Sequence, residues 1–478
     1  MPHGISRPII LSSLALALLL ICVIALPSSL AQQPISKQEA QPKLPRVSSH
    51  IILISISGLR SDFSADAEAS RLRVPTIQSL RAKGSFAIGV ESVFPSQTNP
   101  AHATIVTGTL PADHGIYFDY PFDERSATQA EEQHASAKEI KTDAIWELSG
   151  RAKLTTAAVG FPVTADAMIN FNLPDNFEEP DGKLSDNPPG LRDEILSTLK
   201  PESVAKPVGR KDKIFIQPQD LFRAAAAVYL IEKHRPNLLL INFSSFDLAQ
   251  RHYGLLSEES VSSLEQIDAL VKKIVDATIR SQIGDDTTFI IASDHGAARI
   301  EREFSPNVIL AKKGWLSADA QGRIVSWRAV AQTFGGSAAI FVRNPQGENF
   351  VREVEELFSQ QYEKPDSPIW RIISRHDAAR LGADPRASLY LDAAPSYAMS
   401  SRTTGSTISK ALERATHGYS PSRSEMRATL IFAGKGIKSG VKIEYARLID
   451  IAPTIAGLFG LEMKTARGRV IAEVIDRN

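Results

Sequence analysis

Short, unbroken apolar runs alternate along the chain with longer stretches in which apolar residues recur every three or four positions. His50–Ser57 (HIILISIS), Asn237–Phe243 (NLLLINF), Thr287–Ala292 (TTFIIA) and Ala428–Ala433 (ATLIFA) are of strand length and apolar on nearly every residue. A strand with one wet face alternates apolar and polar residues, so this pattern predicts strands buried on both faces of a parallel sheet. Leu154–Gly160 is a further strand candidate. Pro75–Ala82 and Pro218–Lys233 read as helices, and Ser257 begins a long one. Glu258 and Glu259 fall in its first turn, where acids complement the helix dipole. Val261, Leu264, Ile267, Val271, Ile274 and Val275 then keep one face apolar. Ile449–Phe459 is also helical. Strands alternating with helices predict an α/β fold with a mostly parallel central sheet and helices on both faces. The ligand site of such a sheet lies at the carboxyl ends of its strands.

The pattern weakens over Ile324–Ser400, where Ala338–Val342 reads as a strand and Phe350–Gln360 as a helix. This predicts a smaller α+β insertion at about 324–400 within a domain spanning 49–475. Asn172–Lys213, rich in Pro, Asp, Lys and Gly, reads mostly as loop. Gln32–Ser48 reads as a solvated linker. At the N-terminus, Arg7 precedes an apolar run from Ile9 to Leu26, followed by Ser29-Leu30-Ala31. That is the pattern of an export signal over residues 1–31, cleaved after Ala31. The alternative is an uncleaved anchor, because the run is close to bilayer-spanning length. Either way the expected location is periplasmic or secreted, and a membrane enters only through that anchor.

Composition narrows the partners. The 478 residues are 43% hydrophobic and 23% charged, with Lys+Arg and Asp+Glu both 54. No basic field argues for a nucleic-acid polymer. The one cysteine, Cys22, lies in the leader. The mature chain is then cysteine-free, which suits an oxidising compartment.

Candidate chemistry sits where strands end. Three apolar strands run directly into polar clusters: Ser57-Gly58, Ser244-Ser245-Phe246-Asp247 and Ser293-Asp294-His295-Gly296. A carboxylate beside an imidazole, as in Asp294-His295, offers two ligands that zinc accepts, or else an Asp capping the next turn. His417-Gly418 sits in a Thr-His-Gly-Tyr turn, and Arg251 and His252 closely follow Asp247. Phe94–Ile116 (FPSQTNPAHATIVTGTLPADHGI) places Thr98 two residues before Pro100, a residue suited to a helix's first turn. Thr98 is then at or beside an N-cap, where backbone N–H groups receive a phosphate and a hydroxyl is a candidate nucleophile. Hydroxyl, carboxylates and imidazoles converging on one sheet edge point to metal-assisted phosphoryl transfer.

Six ordered motifs carry a resemblance across about Ser49–Ile475. They are ILISISGLRSDF, VFPSQTNPAHATIVTGTLPADHGI, FDLAQRHYG, IIASDHG, THGYSPSRSEMRATLIFAGKGI and LIDIAPTIAGLFGL. With them the chain resembles the alkaline phosphatase superfamily, in its type I phosphodiesterase / nucleotide pyrophosphatase branch. The resemblance implies a two-zinc centre and a threonine nucleophile forming a phosphoryl-enzyme. By position, Thr98 matches the nucleophile. Asp294 and His295 match ligands of the zinc that activates it, and Asp247 and His417 match ligands of the other. A small phosphodiester or nucleotide is the implied substrate. The sulfatase branch is disfavoured, since its cysteine is absent from the mature chain.

Three positions depart from the family. Its first strand ends in Asp-Gly, where this chain has Ser57-Gly58. Its Asp-x-x-x-His element places a histidine where this chain has Arg251, with His252 one residue later. The phosphoryl-binding Asn corresponds to Asp119. A hydroxyl is a weak zinc ligand, and a guanidinium has no lone pair to give. The expectation is therefore a zinc-dependent exported hydrolase with one or two ions, in which His252 or Arg251 compensates. The alternative is a catalytically impaired relative that binds a phosphorylated ligand or a partner protein. Phe161 stands where the family lines its pocket, either to stack on a base or to pack in the core.

Overall fold

The unbroken apolar runs form the middle of one large sheet. Its strands are His50–Ile56 (β1), Ser85–Ala87 (β2), Thr156–Val159 (β3), Phe171–Leu173 (β4), Leu238–Phe243 (β5), Thr287–Ala292 (β6), Leu430–Gly434 (β7) and Lys442–Ile443 (β8). They lie in the order β8-β2-β7-β6-β1-β5-β3-β4. β7 pairs antiparallel with both β6 and β2, and the other pairings are parallel. The computed structural model describes residues 44–65, 72–125, 127–129, 136–175, 186–199, 215–343 and 348–477. The expected leader or anchor, and most of the expected linker, lie outside these residues. No helix among them is long and apolar enough to cross a membrane.

Burial on both faces explains the lack of alternation. In β1, Ile51 and Leu53 join one core, and Ile52, Ile54 and Ile56 join the other. The first core is closed by Ala101, Ile105 and Val106 of helix Thr98–Thr107 (α1) and by Ile451, Ala452 and Ile455. The second is closed by Leu230 and Ile231 of Pro218–His234 (α2) and by Leu264, Ile267, Val271 and Ile274 of Glu258–Arg280. Each fully buried side chain of this size contributes roughly 1.5–3 kcal/mol, so the middle of the sheet is the most stable part of the scaffold.

Residues 324–400 hold a second sheet with its own core. Ala329–Thr333, Ser337–Val342, Leu389–Ala393 and Ile369–Ser374 pair antiparallel in that spatial order, and helix Glu348–Tyr362 precedes the last strand of that order in the chain. Phe94, Tyr419 and Met426 reach into this core from the rest of the chain. Within Asn172–Lys213, read mostly as loop, the described residues include two elements. Asn172 lies in β4, and Leu191–Thr198 is a helix that buries Leu191 and Ile195. Asn172 is held in extended conformation by reciprocal backbone hydrogen bonds with Asn187 (2.6 and 2.9 Å), a tertiary pairing that overrides its weak strand preference. Residues 176–185 and 200–214 lie outside the described part.

Candidate functional site

The parallel register brings three strand ends to one edge. Ser55 of β1 lies between Asn242 of β5 and Ala292 of β6. Ser57-Gly58, the helix Ser245–Tyr253 (α3) and Ser293-Asp294-His295 therefore leave the sheet side by side. Gly58 has a φ of 74°, and a side chain there would come within 2.8 Å of Asp247 Oδ1. The positive φ and the closeness of Asp247 and Gln250 both require a glycine at this turn.

Asp294 and His295 are fully buried. Asp294 Oδ1 accepts from the N–H groups of Gly58 (3.1 Å) and His295 (2.9 Å). Its Oδ2 accepts no hydrogen bond and lies 3.2 Å from His295 Nε2. His295 Nδ1 is 2.9 Å from the Gly296 carbonyl. A carbonyl only accepts, so Nδ1 carries a proton and Nε2 is the nitrogen that can offer a lone pair to a cation. A lone pair and a carboxylate oxygen this close, both out of water, call for a cation between them, either a proton or a metal ion. Burial raises the Asp294 carboxyl, but His295, His102 and the Gly58 N–H outweigh it and hold it below the usual range.

His417 repeats the arrangement. Its Nδ1 is 3.0 Å from the Ser96 carbonyl, and its ring stacks on His295 with centroids 4.0 Å apart. Burial, with the charges of His295 and Arg251, holds His417 well below its ordinary pKa, so the ring stays neutral. Two hydrogen bonds fix its turn: Gly418 N–H donates to Ser96 O (2.9 Å) and Gly336 N–H donates to His417 O (2.7 Å). Asp247, in the first turn of α3, completes the group. Ligand atoms of Asp247, His295 and His417 all lie within 4.8 Å of one another. Asp247 Oδ1 is buried with no hydrogen-bond partner, and burial raises its carboxyl against the pull of His295 and Arg251. Two imidazole lone pairs, each on a ring whose Nδ1 is engaged by one backbone carbonyl, and an orphaned carboxylate form a donor set that fits a divalent cation.

Thr98 is the first residue of α1, with Gln97 at the N-cap, as the sequence led us to expect. Every residue from Ser92 to Thr109 is buried except Thr98. Its Oγ1 lies 3.4 Å from His295 Nε2. The sequence reading missed His102, which fastens this helix to β1. His102 Nδ1 bonds to Thr98 O (2.8 Å), and Nε2 bonds to Ser55 Oγ (2.8 Å). Burial keeps its pKa low, consistent with a neutral ring that donates at one nitrogen and accepts at the other. The signal was present as the histidine four residues after Thr98, one helical turn on.

The departing positions are all accounted for. Ser57 Oγ donates to Asn242 Oδ1 (3.2 Å), which engages its proton inside the sheet. Arg251, four residues after Asp247 on α3, is gripped by Glu413 through Nη2 (2.7 Å) and Nε (3.2 Å). Glu413 is a second residue that the sequence reading missed. His252 does not compensate: it is exposed and packs only edge-on to Tyr253, with centroids 6.3 Å apart. Five residues along a helix is 140° around it, whereas the four to Arg251 nearly return to the face of Asp247. Phe161 is also corrected. It is fully buried in the core and meets His102 edge-on at 4.9 Å, so it lines no pocket.

Asp119 narrows the expected anion cradle. Its Oδ1 accepts from the Asn99 N–H at 2.7 Å, and Pro100 has no N–H to offer. A carboxylate therefore already sits at the helix start where a phosphate was expected. Burial pushes Asp119 up to about 6, against the Asn99 N–H and the charge of His295.

The sequence and the fold have counterparts among known proteins. The family model described as type I phosphodiesterase / nucleotide pyrophosphatase matches residues 51–420. Human ectonucleotide pyrophosphatase/phosphodiesterase family member 1 is 22% identical over 249 residues, which is 51% of this chain and 23% of that protein. Rat family member 7 is 22% identical over 292 residues, covering 60% of this chain and 57% of that protein. The chain thus spans about a quarter to somewhat over half the length of these curated relatives. The structure of murine ectonucleotide pyrophosphatase/phosphodiesterase 5 superposes with a TM-score of 0.64 at 16% identity, covering 89% of this chain and all of that one. An inactive variant of the murine protein in complex with AMP gives the same TM-score over 90% of this chain. With the family model spanning most of its length, the chain belongs to the type I phosphodiesterase / nucleotide pyrophosphatase family, within the alkaline phosphatase superfamily.

Proposed function

We propose that this protein is an exported, metal-dependent phosphodiesterase that cleaves small nucleotide-type diesters with Thr98 as nucleophile. The observation that carries the reading is the Thr98 hydroxyl, 3.4 Å from His295 in a cluster with Asp247 and His417. Asp247, His295 and His417 would hold the ion, with Asp294 Oδ2 alongside. Nitrogen and carboxylate donors favour zinc among the common divalent ions. When bound, the ion polarises the phosphoryl oxygens and lowers the pKa of a nearby hydroxyl.

The chain's own groups do the rest. Helix α1, tied to β1 through His102 and Ser55, fixes the Thr98 backbone. Thr98 Oγ1 gives up its proton and attacks phosphorus, the P–O bond to the leaving alcohol breaks as that oxygen takes up a proton, and the rest of the substrate stays on Thr98 as a mixed diester. Water then cleaves the bond between Thr98 Oγ1 and phosphorus, which releases the phosphomonoester and returns the hydroxyl. The exported location rests on residues 1–31. AMP bound to the murine neighbour supports a nucleotide as the first substrate class to try.

Thr98→Ala is the direct test. Hydrolysis of a nucleotide diester by zinc-loaded protein is expected to fall by on the order of 10³-fold or more. An unchanged rate overturns the nucleophile. One observation favours a second reading, a binding protein without turnover: Asp119 occupies the Asn99 N–H. Metal-loaded protein that binds AMP but cleaves none of a panel of diesters would select that reading.

A further inference from the structure

The donor count at this site sets how many metal ions it takes. Among the described residues, Asp247, His295 and His417 form the one group of three metal-ligating side chains whose ligand atoms converge. A second ion would need its own set. Asp294 Oδ2 remains nearby without a hydrogen bond. Ser57 hydroxyl is turned to Asn242, and Asp119 is engaged at the start of α1. One carboxylate oxygen does not make a second centre, since structural and catalytic ions take three or four protein donors.

What stands beside the cluster instead is Arg251. Glu413 grips it by Nε and Nη2, and its backbone carbonyl accepts from Arg414 N–H at 2.7 Å. Both ends of the residue are therefore fixed. Nη1 has no hydrogen-bond partner among the described residues, and the side chain is 37% exposed. It stands one helical turn after Asp247 on α3, close to the face that carries Asp247, and its charge acts on Asp247, Asp119 and His417. Around it stand the carboxylates of Asp119, Asp247, Asp294 and Glu413, against this fixed guanidinium among the described residues. An anionic phosphoryl group needs more positive charge than that. One divalent ion supplies it, and a guanidinium held by one edge offers its remaining N–H groups to phosphoryl oxygens.

We infer that this chain holds one metal ion rather than two, and that Arg251, positioned by Glu413, binds the phosphoryl group from the side where a second ion would stand. The inference rests on the metal-dependent reading above and deepens it. Arg251 is then a substrate-binding residue and Glu413 a positioning residue.

The test is a metal count with a binding measurement, neither of which needs turnover. Full-length mature protein is stripped, reloaded with excess zinc, passed through a desalting column and analysed for metal per chain. About one equivalent is expected, rising toward two in the double variant Ser57→Asp/Arg251→His. Two equivalents in the unaltered protein overturn the inference and leave the metal-dependent reading standing. None in folded protein overturns that reading itself. The second arm uses Arg251→Gln, which removes the charge and offers only a neutral amide, a much weaker zinc donor than an imidazole or a carboxylate. Its zinc content should stay near one while AMP affinity, by calorimetry on zinc-loaded protein, falls about 10–100-fold. Glu413→Gln should show a smaller loss that grows with salt, because a loosened guanidinium is screened more easily. Unchanged AMP affinity in Arg251→Gln overturns the role of the guanidinium whatever the count.

Discussion

Two neighbouring strands of the same sheet end differently. β1 and β6 run parallel in direct register, with Ser55 opposite Ala292, so Ser57 and Asp294 leave at the same level. At the end of β6 a carboxylate accepts two backbone N–H groups through one oxygen and leaves the other bare. At the end of β1 a hydroxyl is turned inward to Asn242. Backbone geometry is nearly the same at both ends, and the side chain alone decides which can serve a cation. The difference teaches that a fold can keep its site edge while the groups on it change, here leaving the converging carboxylate and imidazole atoms at the end of β6, on α3 and in the His417 turn.

The sharpest way to break the comparison is at the stronger end. Asp294→Ala leaves the Gly58 and His295 N–H groups without their acceptor, and each orphaned buried donor costs about 1–3 kcal/mol. The expected outcome is loss of hydrolysis by on the order of 10³-fold together with a lower urea midpoint, measured on the same preparation. Activity without that destabilisation would mean Gly58 has found another partner. Equalising the ends comes next. Ser57→Asp gives β1 the carboxylate that β6 has, and zinc affinity, by competition with a chelating dye, should rise about 10–100-fold. No gain would show that Asn242 captures the new carboxylate as it does the hydroxyl.

A smaller effect belongs to Asp119, which accepts from the Asn99 N–H at the start of α1. Its carboxyl sits at about 6 rather than 3.8, so between these values the folded protein binds a proton that the unfolded chain does not. Stability contributed by this group is therefore present at low pH, declines as pH rises from about 4 to about 6, and is constant above. Asp119→Asn should flatten that slope in metal-free protein, read as the difference in urea midpoints between pH 4.5 and pH 7.5, since Asp392, also raised to about 6, is present in both. The same variant should tighten AMP several-fold at about pH 8 and hardly at all at about pH 5. The smallest effect is expected at His252→Ala. With an exposed ring outside the cluster, stability should stay within about 0.5 kcal/mol and zinc content should not move. A fall in bound zinc would restore His252 as a ligand.

Much of this was legible in the sequence because it depends on local pattern. Unbroken apolar runs predicted buried parallel strands, since only a sheet covered on both faces removes the need for polar residues at every second position. Thr98 at a helix start, and Asp247, Asp294 and His295 behind apolar strands, followed from turn and cap chemistry and from where such sheets gather their sites. Other features required the tertiary structure. Glu413 is separated from Arg251 by 162 residues, and Ser57 from Asn242 by 185, so no window along the chain reveals either partner. The inward turn of Ser57, the exposure of His252, the burial of Phe161 against His102 and the capture of the Asn99 N–H by Asp119 are outcomes of packing. Sequence determined which chemical groups reach the edge of the sheet, because chain direction and strand burial are written into local apolarity. Tertiary structure decided which of them face one another, because a hydrogen bond or a lone pair has direction, and direction is fixed only when distant elements are locked together.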